Sequence, residues 1–197
     1  MTPTTDHWQF IDGWLSGAHR VESPNCNPRP AGVAPELIVI HGISLPPGQY
    51  GGSAIEALFT NSLDPAGHPY FEEIAHLEVS AHFLIRRGGE LVQFVSTDVR
   101  AWHAGVSCWQ GKEQCNDFSV GIELEGCDDQ PYADPQYETL LKLIAILQTQ
   151  YPSILADAIV GHSDIAPGRK TDPGPAFDWS RLHAAQESSG DATVCRI

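Results

Sequence analysis

Residues 117–126 read DFSVGIELEG, and their alternation sets the architecture. Phe118, Val120, Ile122 and Leu124 fall on one side of an extended chain, and Ser119, Gly121, Glu123 and Glu125 on the other. The first set suits a buried sheet face. The second runs from small residues to carboxylates. That suits a floor left open beneath a pocket, with Glu123 projecting into it, although an exposed polar face would read the same way.

Two further segments suit strands beside this one. LIVI (37–40) is a short β-branched run fit for a central buried strand, and it leads straight into His41. AIVG (158–161) leads straight into His162. AHFLIRRGGELVQFVS (81–96) reads as a hairpin turning near Gly88 and Gly89. SAIEALFTN reads as a short helix with Ser53 and Glu56 as a capping box. YADPQYETLLKLIAILQTQYP is the clearest helix, with Asp134 as cap, Pro135 at its first position and a stripe of Tyr137, Leu140, Leu141, Ile144, Leu147 and Tyr151. DPAGHPYFEEIAHLEVS reads as a long irregular connection forming a functional wall, and FDWSRLHAAQ as a terminal helix. The expected fold is a single α/β domain with a mixed central β-sheet flanked by helices. Residues 1–35 would be an irregular arm packed on it, 36–185 the catalytic domain, and 186–197 a flexible tail.

Bulk properties narrow the partners. Net charge is −14, from 11 basic and 25 acidic residues, which argues against nucleic acid or an anionic membrane surface, since both are gripped by basic patches. No stretch approaches the ~20 apolar residues of a membrane span. The opening MTPTTDHWQFIDGW lacks the basic and apolar regions of a secretory signal, so the chain reads as cytoplasmic unless a leader precedes it. Its five cysteines are odd in number and form no C-x-x-C pair, which favours reduced thiols. No glycine-rich phosphate loop follows any strand.

In α/β sheets, functional side chains gather where strands end. His41 and His162 sit at two such ends, and Asp172 lies ten residues beyond the second. Two imidazoles and a carboxylate could hold one zinc ion and leave a fourth position for water. Each residue alone would more simply be a turn or hydrogen-bonded residue. Asp164 is a rival ligand, more simply a cap. Lys170, two residues before Asp172, would be badly placed beside a dication unless negative charge develops there during a reaction.

The stretches VIHGISLPPGQYGG, LDPAGHPYF, VSAHFLIRRGGELVQFV, RAWHAGVS, CNDFSVGIELEG and GHSDIAPGRKTDPGPAFDW span most of residues 10–182. In them the chain resembles the zinc N-acetylmuramoyl-L-alanine amidases of the type-2 group, which share a fold with phage T7 lysozyme and the peptidoglycan recognition proteins. The resemblance implies zinc held by His41, His162 and Asp172, Glu123 as catalytic acid/base, and Lys170 as the residue stabilising the transition state. It implies a substrate-lining Tyr70, with Trp102 and His103 walling the pocket unless they are core packing. It also implies a small-molecule muropeptide substrate, (1,6-anhydro-)N-acetylmuramic acid joined to L-alanine. A monomer acting in cytoplasmic peptidoglycan recycling, with an influence on β-lactamase induction, would follow.

There are departures from the pattern. Relatives usually carry Asn where this chain has Gly42, and some carry Arg where it has Glu78 and Gln114. These bear on the grip on the peptide, not on the ion. The alternatives are a non-catalytic muropeptide-binding module of the same fold, a Cys–His hydrolase using Cys108 or Cys115, and a purely structural zinc.

Overall fold

A computed structural model describes residues 8–184. The first strands are short: β1 (Phe10–Ile11), β2 (Trp14–Leu15), β3 (His19–Arg20) and β4 (Cys26–Pro28). There follow β5 (Leu37–Ile43), α1 (Ala54–Phe59), α2 (Pro69–Ile74), β6 (Phe83–Ile85), β7 (Leu91–Gln93), β8 (Val99–Ala101), β9 (Cys108–Trp109) and β10 (Lys112–Glu113). The chain then forms β11 (Ser119–Glu125), α3 (Asp134–Gln150), β12 (Ile159–Gly161) and the single turn α4 (His162–Ile165). Residues 179–184 are helical, and the expected tail at 186–197 lies outside the described residues. No described helix is long and apolar enough to cross a membrane.

The fold is α/β around a mixed six-stranded sheet of order β12-β5-β11-β6-β7-β3. The pairs β12–β5, β5–β11 and β11–β6 are parallel, whereas β6–β7 is the expected antiparallel hairpin. Parallel strands are covered on both faces, and every residue of β11 is buried. The open floor expected beneath Gly121 is therefore absent: a Cβ there would lie 2.5 Å from His103 Cγ, because the imidazole fills that space.

One sheet face carries Ile38, Ile40, Val120, Ile122 and Leu124 against Tyr137, Leu140, Leu143, Ile144 and Leu147 of α3. Gln136 is also buried on α3, where its amide donates to the carbonyls of Ile85 (3.1 Å) and Glu125 (3.0 Å). It thereby ties the helix to two strand ends, a buried polar role that an apolar stripe does not reveal. The other face packs α1 and α2 onto Leu84, Val92 and Phe94.

Three local expectations are corrected. Ser53 makes no side-chain cap; its intended partner Glu56 instead pairs with Arg86. The cap of α3 is Ala133, whose N–H donates to Gln136 Oε1 (3.0 Å), while Asp134 lies inside the helix and accepts from Arg181. The connection at 64–80 is not irregular throughout. It holds a 3-10 turn at Pro65–Gly67 and then α2, where Pro69 occupies a starting position and His68 Nδ1 accepts from Tyr70 N–H (3.1 Å). Proline lacks the N–H that a first turn leaves unsatisfied anyway.

Among residues 8–35, β3 extends the sheet beside β7 and β4 pairs with β8. The Arg29 guanidinium donates to the carbonyls of Thr97, Asn116, Asp117 and Ser119 at 2.9–3.2 Å, pinning this segment to the start of β11.

Candidate active site

Register assembles the site. On the parallel pair β5 and β11, His41 stands opposite Glu123. On the other side of β5, Gly161 stands opposite Ile40, so His162 follows at the level of His41. The short α4 turns the chain there, with Asp164 Oδ2 accepting from Gly161 N–H (2.7 Å); Asp164 is a cap and does not enter the cluster. The loop then returns Asp172, whose carbonyl accepts from Ser163 N–H (3.0 Å).

His41 Nδ1 and His162 Nδ1 lie 2.9 Å apart, and Asp172 Oδ2 is 3.0 and 3.1 Å from them. Both imidazoles are buried. His162 Nε2–H donates to the Ala104 carbonyl (3.1 Å), so in a neutral ring Nδ1 carries the lone pair. Burial pushes the His41 pKa down to about 4, outweighing its contact with Asp172, so this ring is neutral near pH 7. Burial raises the Asp172 carboxyl, but its contacts with His162 and His41 more than offset that, leaving it well below the usual carboxylate range. A carboxylate and two imidazole nitrogens therefore converge on one point. Ligands about 2.0–2.1 Å from a tetrahedral zinc are roughly 3.3 Å apart. The cluster is within a few tenths of an ångström of that, and N and O donors suit the ion.

Glu123 is buried beside this cluster, and its Oε2 finds no hydrogen-bond partner among the described residues. Burial first, and then the Asp172 charge, hold its carboxyl well above the ordinary range, against the opposing pull of Lys170. A buried carboxyl left unpaired is costly and is often a proton carrier in a cleft.

Both groups open onto a cavity of about 520 Å³ that is also lined by Tyr70, Trp102, Lys170 and Asp128. Lys170 is exposed. The Trp102 indole donates to Asn27 Oδ1 (2.7 Å), so β4 anchors one wall. His103 borders the cavity, but its Nδ1 lies 2.9 Å from His41 Nε2 and its Nε2 3.2 Å from Ser119 Oγ. Both ring nitrogens are thus engaged within the protein. Gly42 borders the cavity too, and the space of its missing Cβ is taken by Tyr132, whose hydroxyl would be 2.2 Å away and donates to Pro173 O (2.9 Å). Glu78 and Gln114 do not line the cavity.

Glu125, left without a role by the sequence, is buried and accepts from Gly51 N–H (2.6 Å), Arg87 N–H (3.1 Å) and Arg86 Nη1 (3.1 Å). It fixes the loop after β5 that supplies Leu45 and Pro47 to the cavity. Its place two residues after Glu123, on the same face, was the available signal. The four described cysteines are free thiols; of these only Cys127 lines the cavity.

The family of N-acetylmuramoyl-L-alanine amidases matches residues 31–175, and the chain belongs to it. Within that family the chain is similar to the 1,6-anhydro-N-acetylmuramyl-L-alanine amidase AmpD of Enterobacter cloacae, being 60% identical over 186 residues that cover 93% of this chain and 97% of the relative. It also superposes on the crystal structure of a selenomethionine AmpD derivative with a TM-score of 0.88 and 58% identity, covering 90% of this chain and 98% of that one. A more distant structure, at 28% identity and a TM-score of 0.58, is the amidase AmiD from Escherichia coli in complex with the substrate anhydro-N-acetylmuramic acid-L-Ala-D-gamma-Glu-L-Lys. That match covers 80% of this chain and 60% of AmiD.

Proposed function

We propose that the chain is a zinc-dependent amidase hydrolysing the amide between (1,6-anhydro-)N-acetylmuramic acid and the L-alanine of muropeptides, in cytoplasmic peptidoglycan recycling. The supporting observation is the juxtaposition of the His41–His162–Asp172 donor cluster with a buried, unpaired Glu123 on the adjoining strand. A binding module has no need of a carboxyl held at that cost. The substrate class rests on the names of the relatives.

His41, His162 and Asp172 would hold the ion. When bound, zinc supplies Lewis acidity to a water and to the scissile carbonyl oxygen. Glu123 accepts the proton of the attacking water as its oxygen bonds to the lactyl carbonyl carbon. As the C–N bond breaks, Glu123 returns that proton to the alanine nitrogen, so one carboxyl serves as base and then acid. Its raised proton affinity suits the second role. Lys170 places its ammonium where the carbonyl oxygen gains negative charge. Tyr70 and Trp102 wall the sugar and peptide without entering the chemistry. The cavity and Lys170 offer a small anionic substrate a local cation despite the net negative charge of the chain.

Mass spectrometry of an anhydromuropeptide digest, with and without chelator and beside intact cell wall, tests this reading. Release of free peptide that chelator abolishes supports it. Binding without cleavage in zinc-supplemented buffer would overturn it.

A further inference from the structure

His103 borders the pocket as the sequence suggests, yet both of its ring nitrogens are committed to partners within the protein. The imidazole lies against β11, where Gly121 leaves the room it needs: a Cβ at 121 would come 2.5–2.6 Å from its Cγ, Cδ2 and Nδ1. The backbone beneath it is fixed by Asn116 Oδ1, which accepts from the N–H of His103 (3.1 Å) and of Ala104 (2.8 Å). The His82 ring packs on it edge-on at 5.8 Å.

The hydrogen bonds around the ring have only one consistent direction. The Cys115 carbonyl can only accept, so Ser119 spends its single hydroxyl proton on it, at 2.6 Å. Ser119 Oγ must then accept from His103 Nε2–H, at 3.2 Å. A neutral imidazole has one N–H, so His103 Nδ1 carries a lone pair and accepts from His41 Nε2–H, at 2.9 Å. The remaining lone pair of His41 is left on Nδ1, the atom facing His162 and Asp172.

We propose that His103 is a positioning residue for His41: the middle of a one-way hydrogen-bond chain from the Cys115 carbonyl that fixes the His41 tautomer and aims its Nδ1 at the metal. This rests on the reading of His41 as a zinc ligand. Ligand histidines in general donate their second nitrogen to such a partner. Here the acceptor is another imidazole, whose own tautomer is set by a serine. His162 reaches the same end more simply, through the Ala104 carbonyl.

Zinc affinity by competition with a chromogenic chelator, together with kcat and KM for an anhydromuropeptide at saturating zinc, separates positioning from substrate contact. The loss expected for His103→Leu is about 10–100-fold in zinc affinity with KM unchanged. His103→Asn, whose Oδ1 can take the place of Nδ1 as acceptor, should recover most of it. Ser119→Ala should bind zinc several-fold more weakly. Wild-type zinc affinity with a raised KM in His103→Leu would overturn the proposal and return the residue to the pocket wall. If His103→Leu does not fold, Ser119→Ala decides: weakened zinc binding supports the chain, and unchanged binding overturns it. Wild-type protein that binds no zinc would sink the zinc reading together with this inference, whereas zinc bound equally by all variants sinks this inference alone.

Discussion

Glu123 and His41 face each other in register on neighbouring parallel strands, each two residues before the C-terminal end of its strand. A carboxyl and an imidazole thus share one face with no hydrogen bond between them, and Glu123 Oε2 has no partner among the described residues. Glu123→Gln keeps the size of the side chain and removes its capacity to carry a proton. The expected result is wild-type zinc content with kcat lowered about 10²–10⁴-fold. Loss of zinc in this variant would instead make Glu123 a ligand.

Lys170 lines the same cavity as the His41–His162–Asp172 cluster. Lys170→Ala should retain zinc and lose about 10²–10³ in kcat, the scale of one oxyanion partner. His162→Ala should lose both zinc and activity. Elemental analysis beside steady-state kinetics distinguishes the two roles, and equal zinc loss in both variants would contradict them.

Arg29 donates to four backbone carbonyls, those of Thr97, Asn116, Asp117 and Ser119. Burial lowers its pKa only to about 10, so it is charged at neutral pH. Arg29→Met leaves those carbonyls short of a donor, and unfolding in urea should show a loss of at least about 3 kcal/mol. A change below about 1 kcal/mol would mean that water replaces the guanidinium without cost.

His82 is fully buried, accepts from Gly121 N–H at Nδ1 (3.0 Å) and donates from Nε2 to Val99 O (3.1 Å). Burial, and then the Arg29 charge, push its pKa down to about 3. Between its ordinary value of about 6.5 and about 3 the unfolded chain binds a proton that the folded chain refuses. The stability due to neutral His82 is therefore complete above about pH 6.5 and declines as pH falls through that window. His82→Leu should be less stable at pH 7 yet show a shallower decline from pH 6.5 to 4, by up to about 1.4 kcal/mol per pH unit. Urea midpoints across that range test it, and parallel curves for the two proteins would assign the acid sensitivity elsewhere.

Periodicity alone marks the main sheet segments and α3. LIVI and DFSVGIELEG are short, apolar-patterned segments, and they form the adjacent buried strands β5 and β11. The ends of LIVI and AIVG also point to His41 and His162; in the structure β5 runs on past His41 to Ile43, whereas His162 directly follows β12. What stayed hidden depended on contacts between distant segments. The ring filling the space over Gly121, the grip of Glu125 on Gly51 and the cage of carbonyls around Arg29 join residues 18 to 90 positions apart, and none has a local pattern. Local patterns mislead about caps where a tertiary partner takes the capping side chain, as Arg86 takes Glu56. Helix α2 is hidden in the sequence because its starting proline and capping histidine resemble loop residues.

Zinc titration into metal-depleted protein, with release of L-alanyl peptide from an anhydromuropeptide followed at each addition, bears on the whole scheme. Activity should be absent at the start, rise in proportion to added zinc and level off at one equivalent per chain. Full hydrolysis by the metal-depleted protein, or no hydrolysis once one equivalent is bound, would contradict it.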